Sequence, residues 1–537
     1  MDPTKIGYVC PKSVVVARKN GKHPVLKEHE EVCEKLLNLK KEGKIDEELY
    51  KKIYPTGSQP ARGYGLAKVH KSVVPVRPVL SMPGSVYHKT AEQCKEWLSV
   101  VEECQINSSS KSIADSLESI ELEEDEVLIS FDVTSLYTNV PVKEAINDCA
   151  DMLYSGKYEL PPVDKETFIE LLTLSTCNVL MSTHDGFYRQ VDGLAMGSSP
   201  APLLANGWLH KFDPIIRDDA KLFARYMDDV VRSIRNQAIA DKLKEINTLH
   251  EKLKFTHELE IEQMLPVLDL MLMRKDGRIT SMWYQKPTDT GLIMNYHALA
   301  PKHYKRSVVS GFIHRIYRAC SNWELIHKSL ERACKILERN QYPPQFYEPI
   351  FRRALMKIIS AEDEEDKTRE VSGGAEEEDT SIPKKLIFLQ YRGKVTENFC
   401  RDLQKVNAPA RPVLTLRKLK TALPSLKCSV DHSVRSHVIY RITCPRCASR
   451  YVGWTSQHII KRFQKHMTPT QPVGKHVRAC GVRKEMNVND HMEILEVCTK
   501  SILFLETLEA IYQELERPEI NKKEEWKSRE LKIKLKL

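Results

Sequence analysis

The sequence predicts an α+β, multidomain chain, on three observations. Short β-rich apolar runs carry carboxylates at their ends, as in Val127-Leu128-Ile129-Ser130-Phe131-Asp132 and Phe223-Ala224-Arg225-Tyr226-Met227-Asp228-Asp229-Val230-Val231. Longer stretches with apolar residues at helical spacing lie on either side of them. Acidic runs at 361–366 and 374–379 then divide the chain, because so charged a segment cannot bury a core. The 537 residues suffice for several cores.

Composition narrows the function classes. A net charge of +9, with Lys and Arg spread over the whole length, favours a polyanionic partner. No apolar run approaches a membrane span and the N-terminus lacks a signal-peptide core, so no membrane partner is expected. The fourteen cysteines are mostly scattered singly, which suits free thiols in a reducing intracellular compartment.

In chain order, Leu26 to Tyr54 reads as helical, with Val32, Leu36, Leu37 and Leu39 on one stripe. Tyr64–Lys71 and Pro75–Ser81 read as two short strands of a basic hairpin carrying Lys68, Lys71 and Arg77, suited to phosphates. Gly193 and Gly197, ahead of the helical stretch Ala201–Leu209, let the backbone approach a ligand, and Gln190 can bond a base or sugar. Residues 297–359 read as basic and helical, with Phe312, Ile316, Leu325, Leu330, Cys334 and Leu337 on the apolar face. Paired aspartates in an apolar hairpin require a positive charge beside them. With Asp132 at a neighbouring strand end, they meet the needs of a two-metal phosphoryl-transfer site, whose ions sit about 4 Å apart. Magnesium accepts such hard oxygen ligands, so Asp132 and Asp228 bridge the metals and Asp229 assists.

The last hundred residues hold a second constellation. Val438–Ile442 and Arg450–Trp454 read as strands, with ten residues between Tyr440 and Tyr451. A helix over Gln457–Met467 puts Arg462 and His466 one turn apart on one face. A second, over Ile502–Leu515, carries Glu506 and Glu509 and is followed by Arg517-Pro518-Glu519-Ile520-Asn521. Cys444-Pro445-Arg446-Cys447 has zinc-knuckle spacing, with His466, His476 and Cys480 following at plausible separations.

These blocks, in this order, resemble the reverse transcriptase of Penelope-like retroelements, a relative of telomerase, over roughly residues 30 to 320. The carriers are Tyr64–Lys71, Arg77-Pro78-Val79, Ser130–Pro141, Gly193–Pro200, Tyr226–Asp229, Phe255–Glu258 with Leu265–Asp269, and Tyr284–Gly291. The resemblance implies a right-hand polymerase of fingers, palm and thumb, with two Mg²⁺ on Asp132 and Asp228 beside Asp229. It implies that Lys68 and Arg77 touch the incoming deoxynucleoside triphosphate and that Tyr137 screens its 2′-position. Gln190 and Gly193 then lie along template and nucleotide, and Lys286 falls in the primer-grip turn. Ala67 stands where the family usually has proline.

The C-terminal constellation resembles the GIY-YIG nuclease that such elements carry behind the polymerase. Glu509 stands nine residues before Pro518 and twelve before Asn521, as the family's metal-binding glutamate does, and Val438 replaces the glycine of the name motif. The resemblance implies one divalent ion on Glu509, with Glu506 the competing ligand, and Arg462 on the scissile phosphate. Tyr440, or Tyr451 with His466, deprotonates the attacking water. It also implies a zinc site from Cys444, Cys447, His476 and either His466 or Cys480. The expected division is 1–295 fingers and palm, 296–360 helical thumb, 361–380 structureless acidic linker, 381–435 basic connector, 436–525 nuclease and 526–537 basic tail. The expected function is RNA-directed DNA polymerisation with DNA nicking, on template RNA and target DNA, in the nucleus. The alternative is a nucleic-acid-binding copy without catalysis, since the family normally has further sequence ahead of the fingers helix and this chain reads as shortened there.

Overall fold

The computed structural model describes residues 23–67, 74, 76–104, 108–184, 186–368, 385–405, 410–416, 425, 427–498 and 502–521. Lys68, Lys71 and the 526–537 tail lie outside these residues. Chain contacts divide the molecule into two compact units, each assembled from separated stretches. One is Met1–Gln105 with Ser135–Lys211 and Leu426–Leu537; the other is Ile106–Thr134 with Phe212–Ser425.

The second unit is organised by a four-stranded antiparallel sheet in the order Phe223–Tyr226, Asp229–Arg235, Glu126–Val133, Phe255–Leu259. Leu128, Ile129, Phe131, Val230, Val231 and Ile234 are buried in it, which is why so β-branched a pair of segments pairs at the centre. A three-stranded sheet, Met264–Val267, Leu270–Lys275 and Arg278–Trp283, shares its core with the helices Lys302–Ala319, Trp323–Arg339 and Pro344–Thr368. Leu128, Val231, Trp283, Phe312, Ile316 and Leu337 belong to that single core. The last helix runs through Thr368, so residues 361–368 are helical where a structureless linker is expected. Alanine and glutamate prolong an established helix readily, and no proline or glycine intervenes. Residues 369–384 lie outside the described residues. Within the expected connector, Lys385–Gln390 and Ala410–Thr415 pair in parallel around the helix Lys394–Lys405.

In the first unit, Ala61–Ala67 and Val76–Ser81 form the expected hairpin, inside a sheet that continues through Val179–Ser182 to Phe187–Gln190. The helical stretch expected from Leu26 to Tyr54 is two helices, Pro24–Lys41 and Glu47–Ile53. Gly43 takes the left-handed conformation (φ +72°) between them, and the Asp46 carboxylate accepts from Leu49 N–H to start the second.

The C-terminal stretch of this unit has its own antiparallel sheet, ordered Arg450–Thr455, Val438–Thr443, Met492–Val497. It is covered by the helices Ile459–His466, Pro472–Ala479 and Ile502–Glu516. It also packs against the chain's N-terminal helices. His458 Nε2–H donates to the Ser58 carbonyl (2.6 Å), His29 Nδ1 shares a hydrogen bond with Ser58 Oγ (2.8 Å), and the two imidazoles meet edge to face at 4.9 Å. Lys461 pairs with Glu30 (3.1 Å), and the Ser436 hydroxyl donates to the Gly57 carbonyl. Only glycine fits at 57, because a Cβ would stand 1.9 Å from the Ser456 carbonyl oxygen.

Candidate active sites

Strand register brings three carboxylates together. Asp132 lies opposite Asp229 in the pairing of Glu126–Val133 with Asp229–Arg235. Residues opposite in an antiparallel pair are about 4.5–5.5 Å apart at Cα, so their side chains share a face. Tyr226 pairs with Asp229, which leaves Met227 and Asp228 as a two-residue turn, with Met227 at φ +55°. The Asp228 carbonyl accepts from Val133 N–H (3.2 Å), tying the turn to the neighbouring strand. Asp132 and Asp229 are exposed and Asp228 half-buried, so all three are open to a ligand.

Like charges set opposite each other repel unless a cation intervenes. Asp229 keeps exposed surface, yet the protein around it withdraws bulk water. That loss of solvation, with the charges of Asp228 and Asp132, pushes its carboxyl up to about 6, against a partial offset from Lys286. Such a donor set fits a divalent cation. Lys286, expected at the primer grip, is exposed and its charge reaches this site.

The other residues expected to handle nucleotide belong to the first unit, except Lys68, which lies outside the described residues. Arg77 is exposed on its strand, opposite Leu66. Tyr137 is half-buried on the one-turn helix Leu136–Asn139, and its carbonyl accepts from Leu194 N–H (2.6 Å). Gly193 and Gly197 are required by close approach, but the neighbour is protein. A Cβ at Gly193 would lie 2.6 Å from the Thr138 carbonyl oxygen, and one at Gly197 2.2 Å from that of Leu80. Gln190 donates from its amide to the Gly193 carbonyl (3.0 Å), while its Oε1 is buried without a hydrogen-bond partner.

In the C-terminal stretch, Tyr440, Tyr451, Arg462 and His466 converge. Arg462 Nε–H donates to Tyr440 Oη (2.9 Å), and Tyr440 Oη lies 2.6 Å from His466 Nε2. The two tyrosine rings stack at 6.4 Å, and Tyr451 meets His466 edge to face at 4.9 Å. A phenol accepting from arginine still holds its own proton to donate, and His466 Nε2 stands within reach to accept it. Burial, then the Arg462 charge, hold His466 down at about 3. Burial raises Tyr440 far above its ordinary value, against the pull of Arg462. Glu509, on the Ile502–Glu516 helix, adds a negative charge that acts on both Tyr440 and Arg462. The Asn521 side chain makes two bonds to the Val452 backbone (2.9 and 2.8 Å), fixing the segment after that helix to the strand beside Tyr451.

A separate cluster gathers Cys444, Cys447, His476 and Cys480, whose ligand atoms all lie within 4.8 Å of one another. Cys447 Sγ is 3.1 Å from His476 Nε2 and 3.9 Å from Cys480 Sγ. Tetrahedral zinc with bonds of about 2.3 Å to sulfur sets its ligands about 3.8 Å apart, so the set fits that ion. Hydrogen bonds from Ser449, with help from Cys444 and His476, draw the Cys447 thiol down to about 6, as ligation requires. His466 bonds Tyr440 instead of joining this cluster.

Sequence reasoning missed the support beneath the aspartate turn. Arg225, fully buried, makes a two-pronged ion pair with Asp213 (2.6 and 2.7 Å) and also donates to the Met227 carbonyl (3.2 Å). An arginine inside an apolar strand was the available signal, since a buried guanidinium needs a carboxylate. The links of Arg441 and Arg450 to Glu516 (2.7 and 2.9 Å), which anchor the Glu509 helix, carried no comparable local pattern.

Comparison with known proteins bears on the first site. Residues 69–263 match the family described as reverse transcriptase (RNA-dependent DNA polymerase), and residues 292–352 match the animal helix-turn-helix domain. No curated protein matches the chain. Among solved structures, telomerase from Candida albicans, in complex with a TWJ fragment of telomeric RNA, is 11% identical with a TM-score of 0.37, covering 59% of this chain and 58% of that one. The truncated apo telomerase of Candida tropicalis is 13% identical with a TM-score of 0.29, covering 38% and 52%. The Sicinivirus 3Dpol RNA-dependent RNA polymerase is 12% identical with a TM-score of 0.34, covering 58% and 71%. The chain thus spans little more than half the length of these two telomerase chains. Asp132, Asp228 and Asp229 all fall within the matched stretch, and residues 69–263 are a reverse transcriptase domain.

Proposed function

We propose that this chain is the RNA-directed DNA polymerase of a Penelope-like mobile element, joined to a DNA-nicking GIY-YIG nuclease for target-primed reverse transcription in the nucleus. The observation that carries the polymerase reading is Asp132 standing opposite Asp229, with Asp228 in the turn between strands. Nucleotide addition joins the primer 3′-oxygen to the α-phosphorus and releases pyrophosphate. Two Mg²⁺ held by Asp132 and Asp228 would supply positive charge to the attacking and leaving oxygens, as one on Glu509 would at a scissile phosphate. Arg77 and Lys68 would bind the triphosphate and Tyr137 would exclude a ribose 2′-hydroxyl. Gln190 and Gly193 would shape the loop beneath template and nucleotide.

The Tyr440–Arg462–His466 arrangement supports the nuclease. Arg462 lies beside Tyr440 and would stabilise charge growing on the phosphate. Tyr440 Oη would take a proton from water while passing its own to His466 Nε2, freeing hydroxide to attack phosphorus; the P–O3′ or P–O5′ ester bond would break with its electron pair on the departing oxygen, which would then take a proton from solvent. Zinc on Cys444, Cys447, His476 and Cys480 would staple the inter-strand loop to the Pro472–Ala479 helix.

Primer extension on an RNA template with Mg²⁺ tests the polymerase. Wild type is expected to extend and Asp228→Ala to fail; no extension by wild type, or equal extension by the variant, overturns the reading. Nicking of supercoiled plasmid, lost in Glu509→Ala, tests the nuclease separately.

A further inference from the structure

Among the described residues, Lys385–Gln390 and Ala410–Thr415 form a parallel sheet of two strands with no further strand paired at either edge, whereas parallel strands are usually covered on both faces. Leu386 and Phe388 alternate onto one face and are 52% and 64% exposed. Register sets exposed Arg411 opposite Leu386, and exposed Arg392 follows the strand. Residues 385–416 hold six Lys and Arg against two acids, Glu397 and Asp402. An apolar protein partner gains nothing from that excess of positive charge, whereas a nucleic-acid strand offers bases to the ring and phosphates to the cations.

Continuity points the same way. The Tyr304 hydroxyl donates to the Leu414 carbonyl, seating this sheet beside the Lys302–Ala319 helix. That helix carries Lys302, Lys305, Arg306, Arg315 and Arg318 and no acid. An aromatic shelf thus adjoins a cationic rail within one compact unit.

We propose that this face binds single-stranded RNA, with a base stacked on Phe388 and a backbone phosphate on Arg411. Only the choice of RNA over DNA rests on the polymerase reading. A single strand fits because its bases are free to stack, whereas a duplex hides them.

The test uses the full chain and single-stranded RNA of about 12 nucleotides containing 4-thiouridine, sized to one binding module. Irradiation is expected to label the peptides holding Phe388 and Arg411. The double variant Phe388→Ala/Arg411→Ala should lose that label and about tenfold in affinity for unpaired RNA, while affinity for an RNA–DNA duplex changes by less than about twofold. Phe388→Trp, which keeps a stacking surface, should bind as wild type and so separates stacking from misfolding. Labels only elsewhere, wild-type affinity in the double variant, tighter binding to DNA than to RNA of the same sequence, or equal loss in Phe388→Trp would each overturn the proposal. So would a wild-type dimer that the double variant dissolves, since the face would then join copies of the chain. Failure of polymerisation is read separately, as absent primer extension with the label and affinity intact.

Discussion

At the Asp132–Asp228–Asp229 hairpin the backbone does the placing, whereas in the C-terminal cluster the side chains place one another. The aspartates take their positions from strand register and a two-residue turn, and they keep access to solvent. Tyr440 and His466 are withdrawn from water, and a continuous hydrogen-bond chain joins them to Arg462. A site set by register can lose a side chain without moving its neighbours. A site set by mutual hydrogen bonds cannot, because each group's orientation and protonation depend on the next.

The comparison can be broken most sharply at Asp228. Asp228→Ala should lower primer extension by at least about a thousandfold, yet leave the melting temperature unchanged or slightly raised, since it removes a repelling charge. A large loss of stability would show that the hairpin depends on that carboxylate. Asp213→Ala attacks the support instead. It strands the buried Arg225 guanidinium and should cost about 3–5 kcal/mol in urea unfolding. Tyr440→Phe should reduce plasmid nicking by about a hundredfold with extension intact, and should free His466 from its short hydrogen bond. An unchanged imidazole resonance in that variant would refute the coupling.

The smallest expected effect concerns His29 and His458, both held at about 4, chiefly by burial. Below the ordinary histidine value the unfolded chain takes up protons that the folded state refuses. Stability is therefore full above about pH 7.5 and declines as pH falls toward 4, by about 1.4 kcal/mol for the pair between pH 7 and 6. The urea midpoint measured against pH checks this, and His458→Gln should flatten the slope.

The carboxylate strands were legible because alternation, β-branched residues and a charged turn are local features. Val127 to Asp132 and Phe223 to Val231 therefore appear as strands where expected. The grouping of Cys444 and Cys447 was legible too, since CxxC spacing brings two sulfurs together within one turn. Contacts between distant segments were not. Spacing left His466 open to zinc or catalysis, and only geometry puts it on Tyr440. Gly193 and Gly197 signalled close approach correctly, but nothing local said that the neighbour was protein backbone. The strand Met492–Val497 went unnoticed because glutamates at 493 and 496 interrupt its apolar run. The interleaving of the two units leaves no local trace at all.

That interleaving has a consequence for how the molecule is made. The bond from His458 to Ser58 joins residues 400 positions apart, in a unit whose last stretch begins at Leu426. A ribosome adding about 5–20 residues per second leaves the N-terminal helices waiting tens of seconds for that partner. Throughout that interval His29 and the surface around Gly57 lack the chain that covers them, as nascent-chain binders could detect. Emergence of the stretch from Leu426 onward, more than that of any early segment, sets when this unit can close.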